Sequence, residues 1–148
     1  MPNRNLTYLR ILLVLSIIGS GTMFISNALT ALLEPTMQAF YAANADRFPE
    51  EFATAADMVF LVPRLYYALC ALLYALSLAG VVMMWQLKVP GFHCYTLAQL
   101  LLLVVPLLFL GRAYLSIGDI MLTVLFVGTY WLIFRTLGLF GPKNEETT

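Results

Sequence analysis

Four ionisable residues stand out in a chain that carries few: Glu34, Arg64, Arg112 and Asp119. Each lies where a long apolar stretch begins or ends, and all four fall at the same predicted end of those stretches. Two acids and two bases at one depth could close the mouth of a helix bundle as a charge cluster. They could also line the entrance for a small polar or amphiphilic molecule, since ionisable groups within membrane segments are functional candidates. The plainer reading is four separate flanking charges in the headgroup zone, where arginine reaches water readily. A second set is Ser20, Asn27, Gln99, Thr123 and Tyr130, each polar in an otherwise apolar stretch and suited to hydrogen bonds between helices. His93 and Cys94 are adjacent, about 100° apart on a helix, and two neighbours cannot supply the four ligands of a structural metal site. His93 therefore reads as an interfacial residue. General acid–base chemistry needs a positioned His or carboxylate at the reacting bond, and only Asp119 with Arg64 and Arg112 could serve. The expectation is a non-enzymatic protein with no cofactor and no metal.

The elements that would hold these residues are membrane spans. The chain has 148 residues, 61% hydrophobic and 11% charged, against about 25% charged in soluble domains. A membrane-crossing helix needs about 20 mostly apolar residues, and four stretches qualify, at about 11–33, 63–87, 91–112 and 119–137. A basic head before an apolar run also describes a signal peptide, but the first run exceeds a typical signal core, so a retained first helix is expected. The predicted fold is one all-α domain, an integral membrane four-helix bundle, with short connections making successive spans antiparallel in an up-down-up-down order. A formal net charge of zero gives no reason to expect nucleic acid. Cys70 and Cys94 sit at depths that differ by roughly 20 Å, too far for a disulfide, whose Cα atoms lie within about 7 Å. Two free thiols are expected.

Residues 34–62 form the one sizeable loop. Pro49 followed by Glu50 and Glu51 fits a helix start, and Phe52, Ala55, Ala56, Val59 and Phe60 then recur at helical spacing, which predicts a short amphipathic helix. The first helix can run on past Pro35 for a turn or two. Orientation follows the bias of Lys and Arg: Arg4, Arg10, Lys88, Arg135 and Lys143 fall on one side, Arg47, Arg64 and Arg112 on the other. That predicts both termini in the cytoplasm and the acidic loop outside. Tyr8, Trp85, Phe92 and Tyr95 suit an inner aromatic belt; Tyr66, Tyr67 and Tyr114 suit an outer one.

At 100° per residue each span shows a small or polar stripe. The first aligns Ser16, Gly19, Ser20, Met23, Asn27, Thr30 and Glu34. The second aligns Arg64, Ala68, Ala71, Ala75, Ala79 and Gln86; the third, Phe92, Tyr95, Gln99, Leu102 and Pro106; the fourth, Asp119, Thr123, Phe126 and Tyr130. Polar stripes should face the bundle interior, and the Gly/Ser stripe of the first span with the alanine stripe of the second is the expected close pair. Gln99 should bond to the first span or hold a polar ligand. Pro106 should kink its helix. The expected role is assembly with the lipid bilayer as surroundings, as a homo-oligomer or with a membrane-protein partner. The second expectation is transport or binding of a small polar or amphiphilic molecule through an outward-facing polar cavity.

Known four-span families give little. Small multidrug transporters carry a glutamate inside the first span, which has none here before Glu34. Thiol-oxidising and quinone-reducing four-helix enzymes use paired cysteines, and claudin-like proteins carry Trp and Cys in the first outer loop; this chain has neither pattern. The run Gly91-Phe92-His93-Cys94-Tyr95-Thr96-Leu97-Ala98-Gln99, after a basic turn, resembles a G-F-x-x-Y-x-x-A-Q pattern of small, uncharacterised four-helix proteins of bacterial inner membranes. The resemblance covers about nine residues. It implies bacterial origin and the same architecture, and it brings no activity.

Overall fold

The computed structural model describes residues 4–44, 47–49, 51, 52, 54, 60–112 and 116–140. Among them are four long helices and no strand: α1 Arg4–Asn44, α2 Arg64–Trp85, α3 Val89–Phe109 and α4 Ile117–Thr136. Each is long and apolar enough to cross a membrane. The expected all-α, four-helix composition is what the chain adopts.

The helices differ from the expected spans at particular ends. α1 has 41 residues, about 60 Å at 1.5 Å per residue, roughly twice the hydrocarbon thickness of a bilayer. It takes in Arg4–Arg10 and continues about three turns beyond Leu33 with Pro35 inside it. The projecting part is held by rings. Phe48 stacks on Tyr41 at 5.7 Å and on Phe52 at 4.8 Å, and Phe60 approaches Tyr41 at 5.7 Å. The amphipathic helix expected in this loop falls mostly outside the described residues, since Ala55, Ala56 and Val59 are not among them. Tyr114, expected in the outer belt, and Lys143, counted for orientation, also lie outside them. α3 stops at Phe109, short of the expected Arg112, because Gly111 takes φ +83°, the left-handed conformation that ends helices and suits glycine. Arg112 is exposed and lies beyond the helix.

The tightest crossing lies between α2 and α3. A Cβ added to Gly80 would come 2.7 Å from the Tyr95 backbone nitrogen, and one on Gly91 would come 2.6 Å from Met83 Cβ and 2.7 Å from the Gly80 carbonyl oxygen. Only two facing residues without side chains allow backbones this near. The expected close pair, α1 with α2, also packs extensively, with Ala71 and Ser20 buried and Ser20 Oγ 3.2 Å from Ser77 Oγ, but the closest backbone approach is that between α2 and α3. Nothing lies within 4 Å of a Cβ on Gly19, and Ala68 and Ala79 are exposed. An alanine methyl is already too large for a crossing like that at Gly80 and Gly91.

The hydrophobic core gathers at the end of the bundle that holds the Lys88 turn. Leu9 and Leu13 meet Val81, Met84, Phe92 and Tyr95, with Tyr130, Ile133 and Phe134 completing the cluster. Tyr95 and Tyr130 meet edge to face with centroids 5.3 Å apart, and Phe92 lies 5.9 Å from Phe134. The buried residues of α4 are Tyr130, Ile133 and Phe134, all in its last two turns. α4 is thus held firmly at that end, while its first half, from Ile117 onward, buries nothing.

Candidate functional site

Where α4 stands away from its neighbours, the four helices enclose a partly open cavity of about 470 Å³. That lies within the range of small-molecule sites, about 300–1,000 Å³. α1 contributes Ser20 and Asn27, α3 contributes Gln99, and α4 contributes Asp119 and Thr123. Each set repeats at helical spacing, so one face of each helix turns inward. Leu102, Leu103, Leu122 and Phe126 supply the apolar part of the wall.

Four of the five residues of the expected polar stripe therefore line one space. The fifth, Tyr130, is fully buried beneath it, with its hydroxyl 2.7 Å from Ser16 Oγ. A second polar link crosses three helices. Gln99 Nε2 donates to Ser77 Oγ at 3.1 Å, and Ser77 Oγ lies 3.2 Å from Ser20 Oγ. Gln99 thus reaches the first helix through Ser77 of α2 rather than directly. Asn27 uses its amide N–H within its own helix, donating to the Met23 carbonyl at 2.8 Å.

The four outer charges separate. Asp119 lines the cavity from the first turn of α4, where a carboxylate suits the positive helix end. Glu34, Arg64 and Arg112 lie outside its wall. Among the described residues neither arginine pairs with a carboxylate within the 4.0 Å limit of an ion pair. Arg64 has a different partner: its Nε donates to the Ala31 carbonyl at 2.7 Å. The cause is Pro35. It has no N–H to return to the carbonyl four residues earlier, so Ala31 is left with an acceptor that the guanidinium fills. That signal was present in the sequence as a proline four residues after Ala31 and an arginine opening the next span.

The α2 wall is made by Tyr66, Cys70 and Tyr74, at spacings of four, with Ser77 continuing the same face. This face is distinct from the alanine stripe expected to turn inward on α2. Cys70 and Cys94 are both free; Cys70 is in the cavity wall, while Cys94 Sγ lies 3.7 Å from the Leu76 carbonyl. His93 is exposed and rests beside Phe92 and Phe140. Among the described residues no three His, Cys, Asp or Glu side chains gather to hold a metal. The residues of the G-F-x-x-Y-x-x-A-Q run have identifiable places. Gly91, Phe92, Tyr95 and Ala98 are buried in packing, and Gln99 faces the cavity.

No protein-family model, characterised protein or solved structure matches this chain.

Proposed function

We propose that this is a non-enzymatic membrane protein that binds a small amphiphilic molecule in the cavity between its four helices. The observation that carries this reading is convergence: Ser20, Asn27, Gln99, Thr123 and Asp119, from three helices, line one space of ligand size whose other wall is apolar. Ser20 and Gln99 are bonded through Ser77, as Ser16 is to Tyr130, while among the described residues Asn27, Thr123 and Asp119 bond no side chain of another helix. In this reading the chain threads up-down-up-down through a bacterial inner membrane with both termini cytoplasmic, and the cavity opens toward the outer side. The Lys and Arg distribution supports that orientation. Assembly as a homo-oligomer or with a membrane-protein partner is a second reading. It is favoured by the projecting end of α1, where Met37 and Phe40 stay 49% and 62% exposed beyond the expected span.

The test is copurification. Full-length protein extracted with its native lipid should retain a defined molecule, detected by mass spectrometry, above the bulk lipid background. Gly19→Leu, which places a side chain into open space on the cavity wall, should lose it and stay folded. A wild-type protein that retains nothing beyond bulk lipid, indistinguishable from Gly19→Leu, would refute the binding reading.

A further inference from the structure

We infer that the molecule held in the cavity is a cationic amphiphile, its charged nitrogen at Asp119 and its apolar body against α3 and α4. The inference rests on the binding reading above and adds the chemical class of the ligand.

The wall has several hydrogen-bonding atoms left to offer. Asn27 donates one amide N–H to the Met23 carbonyl, a partner that can only accept, which leaves its amide oxygen and a second N–H for the cavity. Asp119 presents a carboxylate, which accepts and does not donate when ionised. Pro106, also in the wall, has no N–H for the Leu102 carbonyl one turn earlier, which leaves a backbone acceptor there too. Three acceptors thus come from three helices. Among the described residues no Lys or Arg lines the cavity, and the Arg64 Nε is engaged at Ala31. The wall carries one carboxylate and, among the described residues, no cationic side chain, so a ligand that complements it brings the cation.

The rings around it fit the same ligand. Tyr66, Tyr74 and Phe126 share the wall with Asp119, and aromatic faces attract ammonium groups, as in the aromatic cages that hold quaternary amines. Leu102, Leu103 and Leu122 then accept an alkyl or ring body. An anionic amphiphile would fit the leucines equally well and be repelled at the carboxylate. Charge is therefore the discriminating feature.

The experiment titrates the full chain in maltoside micelles with three probes of equal tail length: decylammonium, 1-decanol and decyl sulfate. Native mass spectrometry reads the bound fraction. The ammonium should bind at least about tenfold more tightly than the alcohol, the scale of one charge-assisted contact, with the sulfate weakest. Asp119→Asn should remove the ammonium's advantage and leave the alcohol unchanged, and Asp119→Glu should restore it. Thr123→Lys, one turn along α4, should lower the ammonium's binding relative to the sulfate's by supplying a resident cation. If the alcohol binds as tightly as the ammonium, or Asp119→Asn changes nothing, the cationic class is overturned while the cavity remains a binding site. If no probe binds above the level seen with Gly19→Leu, both readings fall. Two sources are separated by the native-lipid extract. An amine-bearing lipid retained by wild type and lost in Asp119→Asn supports the class with the bilayer as its source. Tight uptake of added ammonium with no such lipid supports it with solution as the source.

Discussion

The Arg64–Ala31 contact makes a quantitative prediction, because its cause is a single missing N–H. Arg64→Met keeps most of the aliphatic stem and removes the donor. A hydrogen bond to a charged group contributes about 1.5–3 kcal/mol. Arg64 is exposed, so water can replace part of the contact, and the expected loss is about 1–2 kcal/mol. Pro35→Ala supplies the N–H that α1 lacks and lets the helix close its own bond to Ala31. In that background the guanidinium has no orphan carbonyl to serve, and Arg64→Met should cost little. The coupling between the two changes should then be about 1 kcal/mol or more, a measurable departure from additivity. Unfolding in mixed maltoside and dodecyl sulfate micelles, followed by Trp85 and Trp131 fluorescence, reads all four corners of the cycle. If Arg64→Met costs the same with proline or alanine at position 35, within about 0.3 kcal/mol, the proline does not explain the contact. Arg64 would then be an interfacial charge that happens to lie near a carbonyl.

The remaining predictions concern packing. Gly80→Ala and Gly91→Ala should each destabilise the bundle by about 1–3 kcal/mol or more, since the new methyl meets backbone that cannot yield. Gly19→Ala, with nothing within 4 Å, should be neutral or slightly stabilising in the same micelle unfolding assay. Tyr130→Phe should cost about 1 kcal/mol by removing the bond to buried Ser16, leaving Tyr95 as its partner, and Ser16→Ala on top should recover part of it; equal additive losses would mean the bond contributes nothing. Thr96 Oγ1 is buried without a hydrogen-bond partner, so Thr96→Val should be stabilising by up to about 1 kcal/mol. A loss of stability in Thr96→Val would refute this.

What could be read in the sequence was what depends on one helix at a time. Length and apolarity marked the four helices, and the 100° rule put Ser20, Asn27, Gln99 and Thr123 on inward faces. What could not be read depends on two helices meeting. The Gly80–Gly91 crossing needs both glycines at one height, and neither carries a mark of its partner. Two stripes competed on α2, and the alanine one was the more conspicuous. Tyr66, Cys70 and Tyr74 form the cavity face because α2 lies between α1 and α3, an arrangement periodicity alone does not encode. The charge pairing expected among Glu34, Arg64, Arg112 and Asp119 assumed that charges at one end seek each other. The backbone made a stronger demand on Arg64, through a proline whose effect falls one turn away from it.

The cavity follows from that same division between the two ends of the bundle. α4 is attached through Tyr130, Ile133 and Phe134, and its first half has no side chain buried, so nothing draws Asp119 and Thr123 against α1. The cavity of about 470 Å³ is partly open, so lipid, water or a ligand can enter it, and the wall decides which suits it best. Acyl chains from the bilayer would cover Leu102, Leu103 and Phe126 but leave the Asp119 carboxylate and the Asn27 amide oxygen without donors, at about 1–3 kcal/mol for each unmet group. Water would serve those oxygens and leave the leucines wetted, at about 25 cal/mol for each Å² of apolar surface. A molecule with a donor-bearing head and an apolar body satisfies both halves at once. Its advantage over lipid and over water is the sum of what each of those leaves unpaid, which is why the two ends of the ligand should be separable by mutation: Asp119 for the head, Phe126 for the body.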